Sequence, residues 1–132
     1  MNKIYVLLSL SLALVVLLTA CGGSAAPASY QMTLIDFGFQ PNSLTVPAGK
    51  SISMTLVNKG SVTHNWTLMS KTVTPPFGPK DQPNVIISKT VDAGKTVTFT
   101  FTTPVKPGDY EIICTEPGHL EAGMQATLKV TS

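Results

Sequence analysis

The chain has 132 residues, of which 43% are hydrophobic and 12% charged; its nine basic residues, all lysine, face seven acidic ones for a net charge of +2. No basic stripe is present to hold nucleic acid, which is excluded as an expected partner. With only 2 His and 2 Cys in the whole protein, an enzyme with a further copper held by several histidines, or a zinc site of paired Cys and His, has no ligands to draw on.

The first twenty residues have the form of an export signal: Lys3 is a basic start, Ile4 to Leu18 is an uncharged apolar run, and small residues follow. Leu18-Thr19-Ala20-Cys21 resembles the bacterial lipobox, which implies removal of residues 1–20 and acylation of Cys21. The mature chain would then hold 112 residues, one domain's worth, with eight lysines against seven acids. Residues 21–29, Cys21 followed by Gly-Gly-Ser-Ala-Ala-Pro-Ala-Ser, read as a flexible tether carrying the lipid, and 30–132 as the folded domain. The expected location is extracytoplasmic, lipid-anchored to a bacterial membrane at the periplasmic face or the cell surface. With Cys21 acylated, Cys114 has no disulfide partner, and an unpaired thiol in an oxidising compartment calls for another use.

From Tyr30 onward the pattern alternates with period two and is rich in Thr, Val and Ile. Strands are predicted at Tyr30–Ile35, Leu44–Val46, around Ile52–Leu56, His64–Met69, Val85–Ser88, around Val97–Phe101, Asp109–Cys114 and Gln125–Val130. The expected fold is all-β, an antiparallel sandwich or barrel of about eight short strands. Val46-Pro47-Ala48-Gly49-Lys50 and Val91-Asp92-Ala93-Gly94-Lys95 read as equivalent turns, each before a strongly alternating strand. Between Lys71 and Asn84, four prolines break the alternation, and this flap is expected to cross an edge or an end of the sandwich. Phe77 within it either covers a ligand loop or plugs a core edge. Trp66 and Tyr110 are read as core residues rather than electron relays.

On the predicted strand ending at Cys114, period two puts Tyr110, Ile112 and Cys114 on the apolar face, so the thiol points inward. Cys114, His119 and Met124 then follow one another with four residues between each pair. The one other histidine, His64, opens an upstream strand. Taken singly, these are a core thiol, a loop imidazole, a core thioether and a strand-end hydrogen-bonding group. Together they are the donor set of an electron-transfer copper centre, two His and one Cys with a weak axial Met.

Cys114-Thr115-x-Pro117-Gly118-His119, His64-Asn65-Trp66 and Gly108-x-Tyr110-x-x-x-Cys114 resemble the motifs of the cupredoxins, the type 1 blue-copper family, and above all its auracyanin- and azurin-like members, with a plastocyanin-like spacing from His119 to Met124. The resemblance covers Tyr30 to Ser132 and implies a Greek-key sandwich with one type 1 copper. It makes His64, Cys114 and His119 the equatorial ligands and Met124 the axial one. Asn65 would tie the two ligand-bearing loops together near the sulfur, with Thr115 beside it. Thr63 stands where azurin-like members have glycine.

The implied role is a monomeric carrier that shuttles single electrons between a donor and an acceptor redox protein, held to the membrane by its lipid, and not an enzyme. An extracytoplasmic protein for copper delivery or storage is the alternative, since it would use the same atoms.

Overall fold

The computed structural model describes residues 25–132. The export signal, the lipobox and Cys21 lie outside the described residues. Among the described residues, nine strands follow in chain order: β1 (Ala28–Ile35), β2 (Gly38–Gln40), β3 (Ser43–Pro47), β4 (Ser51–Asn58), β5 (His64–Met69), β6 (Val85–Val91), β7 (Thr96–Thr102), β8 (Gly108–Ile113) and β9 (Gln125–Thr131). They build two sheets, ordered β2-β1-β4-β7 and β3-β9-β8-β5-β6. Among the described residues no helix is long and apolar enough to cross a membrane.

Alternation decides what each sheet buries. In β4, Ile52, Met54, Leu56 and Asn58 turn inward, and Met54 and Ile52 lie opposite Phe99 and Phe101 of β7. Trp66 of β5 meets both phenylalanines from the other sheet, with ring centroids 5.7 Å apart in each case. Emptying such a buried aromatic site costs about 3–5 kcal/mol. The two Ala-Gly turns are equivalent as expected: Gly49 and Gly94 have φ of 62° and 72°, a region open to glycine, and each leads into a strand of the β4–β7 pair.

Several expectations need correction. The expected all-antiparallel pairing fails twice, because β1 runs parallel to β4 and β3 parallel to β9. Residues 36–50 carry β2 to β1's own sheet and β3 to the other before the chain returns, which supplies the crossover a parallel pair requires. The expected tether also ends early, since Ala28 and Ser29 pair with Ile52 and Ser53. β5 is buried at all six positions instead of alternating. The proline-rich flap explains this by lying over the outer face of β5 and β8 rather than across an edge: its Val73 and Phe77 pack with Met69, Ile113 and Leu120 in a second apolar cluster. Phe77 thus plugs a core that also includes the neighbour of His119.

Because β1 and β4 share a direction, Ala28 and Ser51 lie at one end of the sandwich and Ile35 and Asn58 at the other. The candidate ligands gather at the Asn58 end.

Candidate metal centre

Asn58 prepares the site. Buried at the end of β4, it donates through Nδ2 to the carbonyls of Val62 (2.9 Å) and Val91 (2.8 Å), and its Oδ1 accepts from the Gly60 N–H (2.8 Å). These bonds fold residues 59–63 into a tight loop that delivers His64, fully buried, to the start of β5. Cys114 arrives from β8 on the same inward face as Tyr110 and Ile112, as period two requires, while Ile113 faces the flap.

The loop after Cys114 closes on itself. His119 N–H donates to the Glu116 carbonyl (3.0 Å), Met124 N–H to the His119 carbonyl (3.0 Å), and Cys114 N–H to the Met124 carbonyl (3.2 Å). Met124, fully buried, joins the main core beside Cys114.

Donor atoms of His64, Cys114 and His119 all lie within 4.8 Å of one another. The two Nδ1 atoms are 3.1 Å apart, and Cys114 Sγ is 3.3 Å from His119 Nδ1. Burial pushes the Cys114 thiol above its ordinary range, an effect that N–H donors of Asn65 and Glu116 partly offset. One of those donors is seen directly, the Asn65 N–H at 3.4 Å from Sγ.

Asn65 bridges the start of β5 and the loop after Cys114. Its Oδ1 accepts from the Thr115 N–H (2.8 Å) and from Thr67 Oγ1 (3.1 Å), and its Nδ2 donates to Glu116 Oε1 (3.2 Å). Thr115 therefore takes part through its backbone. Thr63 is turned to Asp92, with its hydroxyl 3.1 Å from Oδ1.

Two residues of the turn between β1 and β2 were missed from sequence. Asp36 Oδ1 lies 3.1 Å from His64 Nε2, on the side of the ring away from Cys114 and His119. Ser61 fixes that carboxylate through its N–H (2.9 Å) and its hydroxyl (2.7 Å), and these bonds, followed by the one to His64, hold Asp36 below the usual carboxylate range. Phe37, half-exposed and at φ 65°, sets its ring edge-on to His119 with centroids 5.4 Å apart. One turn thus touches both histidines. An acid at a strand end followed by Phe-Gly was the only local signal, and the partners stand far along the chain.

A sequence profile of the cupredoxin-like domain matches residues 8–130. The chain belongs to the cupredoxin-like family. Auracyanin-B of Chloroflexus aurantiacus is 35% identical over 115 residues, covering 70% of this cupredoxin and 47% of the relative, so the chain spans about half the length of the curated relative it matches. Among solved structures, auracyanin B superposes with a TM-score of 0.68 at 32% identity, covering 81% of this chain and 91% of the other. The dithionite-reduced auracyanin of Roseiflexus castenholzii gives 0.67 at 26% identity, with 81% and 99% covered. Auracyanin A of Chloroflexus aurantiacus, described as a "blue" copper protein, gives 0.67 at 29%, with 80% and 100% covered.

In this cupredoxin, a buried thiol flanked by two imidazole nitrogens, with a thioether in the adjoining core, fits a single type 1 copper site.

Proposed function

We propose that this cupredoxin is a membrane-tethered electron carrier, taking one electron at a time from a donor protein and passing it to an acceptor. The gathering of His64, Cys114 and His119 donor atoms within 4.8 Å at one end of a stiff sandwich carries this reading. His64 Nδ1, Cys114 Sγ and His119 Nδ1, together with Met124 Sδ from the adjoining core, would hold the copper. Copper bound there supplies a one-electron couple between Cu(I) and Cu(II).

The chain's own residues hold the ligands still. Asp36 and Ser61 orient the His64 ring, Asn65 locks the two loops, and the Asn65 N–H to Cys114 Sγ withdraws charge from the sulfur. Ligands fixed by the fold rather than by the metal move little between oxidation states, which favours fast electron exchange. His119, only partly buried, is the one histidine that reaches solvent and is the exit toward partners. Acylated Cys21 keeps the domain at an extracytoplasmic membrane surface, as a monomer.

Stopped-flow mixing of the copper-loaded protein with a small inorganic reductant and then an oxidant tests the carrier reading. Complete bleaching and recovery with copper retained is the expected result. Rapid loss of copper to a chelator, without redox cycling, would instead support the delivery or storage role.

A further inference from the structure

At the end of the sandwich opposite the His–Cys–His cluster, the chain presents an apolar tip between two lysines. Val105 is 80% exposed, the most of any large hydrophobic residue among those described. An exposed valine by itself requires no explanation. This one, however, stands on a rigid support. Gly49 N–H donates to the Pro104 carbonyl (3.1 Å) and Thr103 N–H to the Lys50 carbonyl (2.9 Å). The Thr103 hydroxyl accepts from the Lys50 N–H (3.0 Å) and donates to the Pro47 carbonyl (2.6 Å), while the Tyr110 hydroxyl donates to the Lys106 carbonyl (2.9 Å). Pro104 and Pro107 restrict the same loop.

The N-terminal segment emerges here as well. Ala28 opens β1 opposite Ile52, two residues beyond Lys50. The chain from Cys21 to Ala28 spans at most about 25 Å. β1 then rises roughly 25 Å to Asp36, which touches His64, so the cluster stands a full strand length away from the anchored end. Charge is divided the same way. The cluster end carries Asp36, Asp92, Glu116 and Glu121 against Lys59 and Lys95, for 2 − 4 = −2; the other end carries Lys50, Lys71, Lys106 and Lys129 against Asp109 and Glu111, for 4 − 2 = +2.

We propose that this end is a membrane foot. Val105 enters the headgroup region of the bilayer that holds the acylated Cys21, Lys50 and Lys106 lie on anionic headgroups, and the copper end is held outward toward its partners. The foot rests on the lipid-anchor reading of Cys21. A tether this short keeps Val105 and its lysines at high local concentration beside the surface, so contacts too weak to bind a free domain suffice to orient an anchored one.

The test uses the full acylated chain, copper-loaded and reduced, carrying Val105→Trp, on vesicles of phosphatidylcholine with or without phosphatidylglycerol. Trp66 is buried and gives a constant background. Lipids brominated in the acyl chains should quench the new indole on the phosphatidylglycerol vesicles. Adding Lys50→Gln and Lys106→Gln should shift the docked-to-free ratio about thirtyfold, each lysine counting about fivefold near an anionic surface. In the oxidised protein, headgroup nitroxides should show no broadening by Cu(II). A chain that fails to sediment with vesicles overturns both the anchor and the foot. One that sediments, but whose indole is equally open to aqueous iodide with and without phosphatidylglycerol, overturns the foot alone, as does nitroxide broadening.

Discussion

Replacing Asn65 by Ala should loosen the copper end without touching a ligand. Asn65 is buried, and its side chain makes three hydrogen bonds that join the start of β5 to the loop after Cys114. Thr67 keeps a second partner in Ser88, and Glu116 can turn to water, so those two losses are partly recovered. The Thr115 N–H, half-buried, loses its acceptor, and an orphaned donor of this kind costs about 1–3 kcal/mol. With about 1 kcal/mol for the Thr67 bond, the total is roughly 2–4 kcal/mol. For a domain of about 100 residues, 1 kcal/mol moves Tm by about 4–8 °C, so a fall of at least about 8 °C is expected in the copper-free protein. Differential scanning calorimetry of the two copper-free proteins measures it, and release of copper to a chelator should also quicken. A Tm within about 2 °C of the parent, with unchanged release, would refute the role assigned to Asn65.

Gly60→Ala should be more disruptive than a loop substitution usually is, because a Cβ there would lie 2.6 Å from His64 Nε2 and against Asp36 Oδ1. Copper should bind with altered visible and paramagnetic spectra, and unchanged spectra would show that the Asp36–His64 contact does not hold the ring. Met124→Leu should keep the colour and raise the reduction potential, since removing a weak donor to Cu(II) favours Cu(I); voltammetry gives the sign directly. The thiol of Cys114, raised by burial, must lose its proton to bind metal. Copper binding near neutral pH should therefore release about one proton, seen with an indicator dye in unbuffered solution. For the copper-free protein, a folded value above the unfolded one gives stability that is present below the unfolded thiol's pKa, about 8.5, and lost as pH rises through the higher folded value. Denaturant titrations between neutral and alkaline pH should show that decline in the parent and not in Cys114→Ser.

How far the sequence disclosed the site depended on distance along the chain. Cys114, His119 and Met124 are close neighbours in one loop, and period two on β8 placed the thiol inward, so local pattern sufficed. His64 came from scarcity, being the one other histidine. Asp36 and Phe37 were illegible because their partners lie 28 residues away at His64 and farther still at His119, and nothing in a strand-end acid or an exposed phenylalanine names an imidazole. The fold divides in the same manner. The inward residues of β4 and β7 followed from alternation, while the burial of both faces of β5 depended on the flap, which packs onto it through Val73 and Phe77. The two parallel pairs depend on crossovers that alternation does not encode.

The central claim is that Cys114 places its sulfur on a copper shared with His64 and His119. The direct measurement is the optical and paramagnetic spectrum of the Cu(II)-loaded protein beside Cys114→Ser. An intense thiolate-to-copper absorption in the parent, absent from the variant, is the predicted result. A colourless Cu(II) protein, or the same spectrum from both, would contradict it.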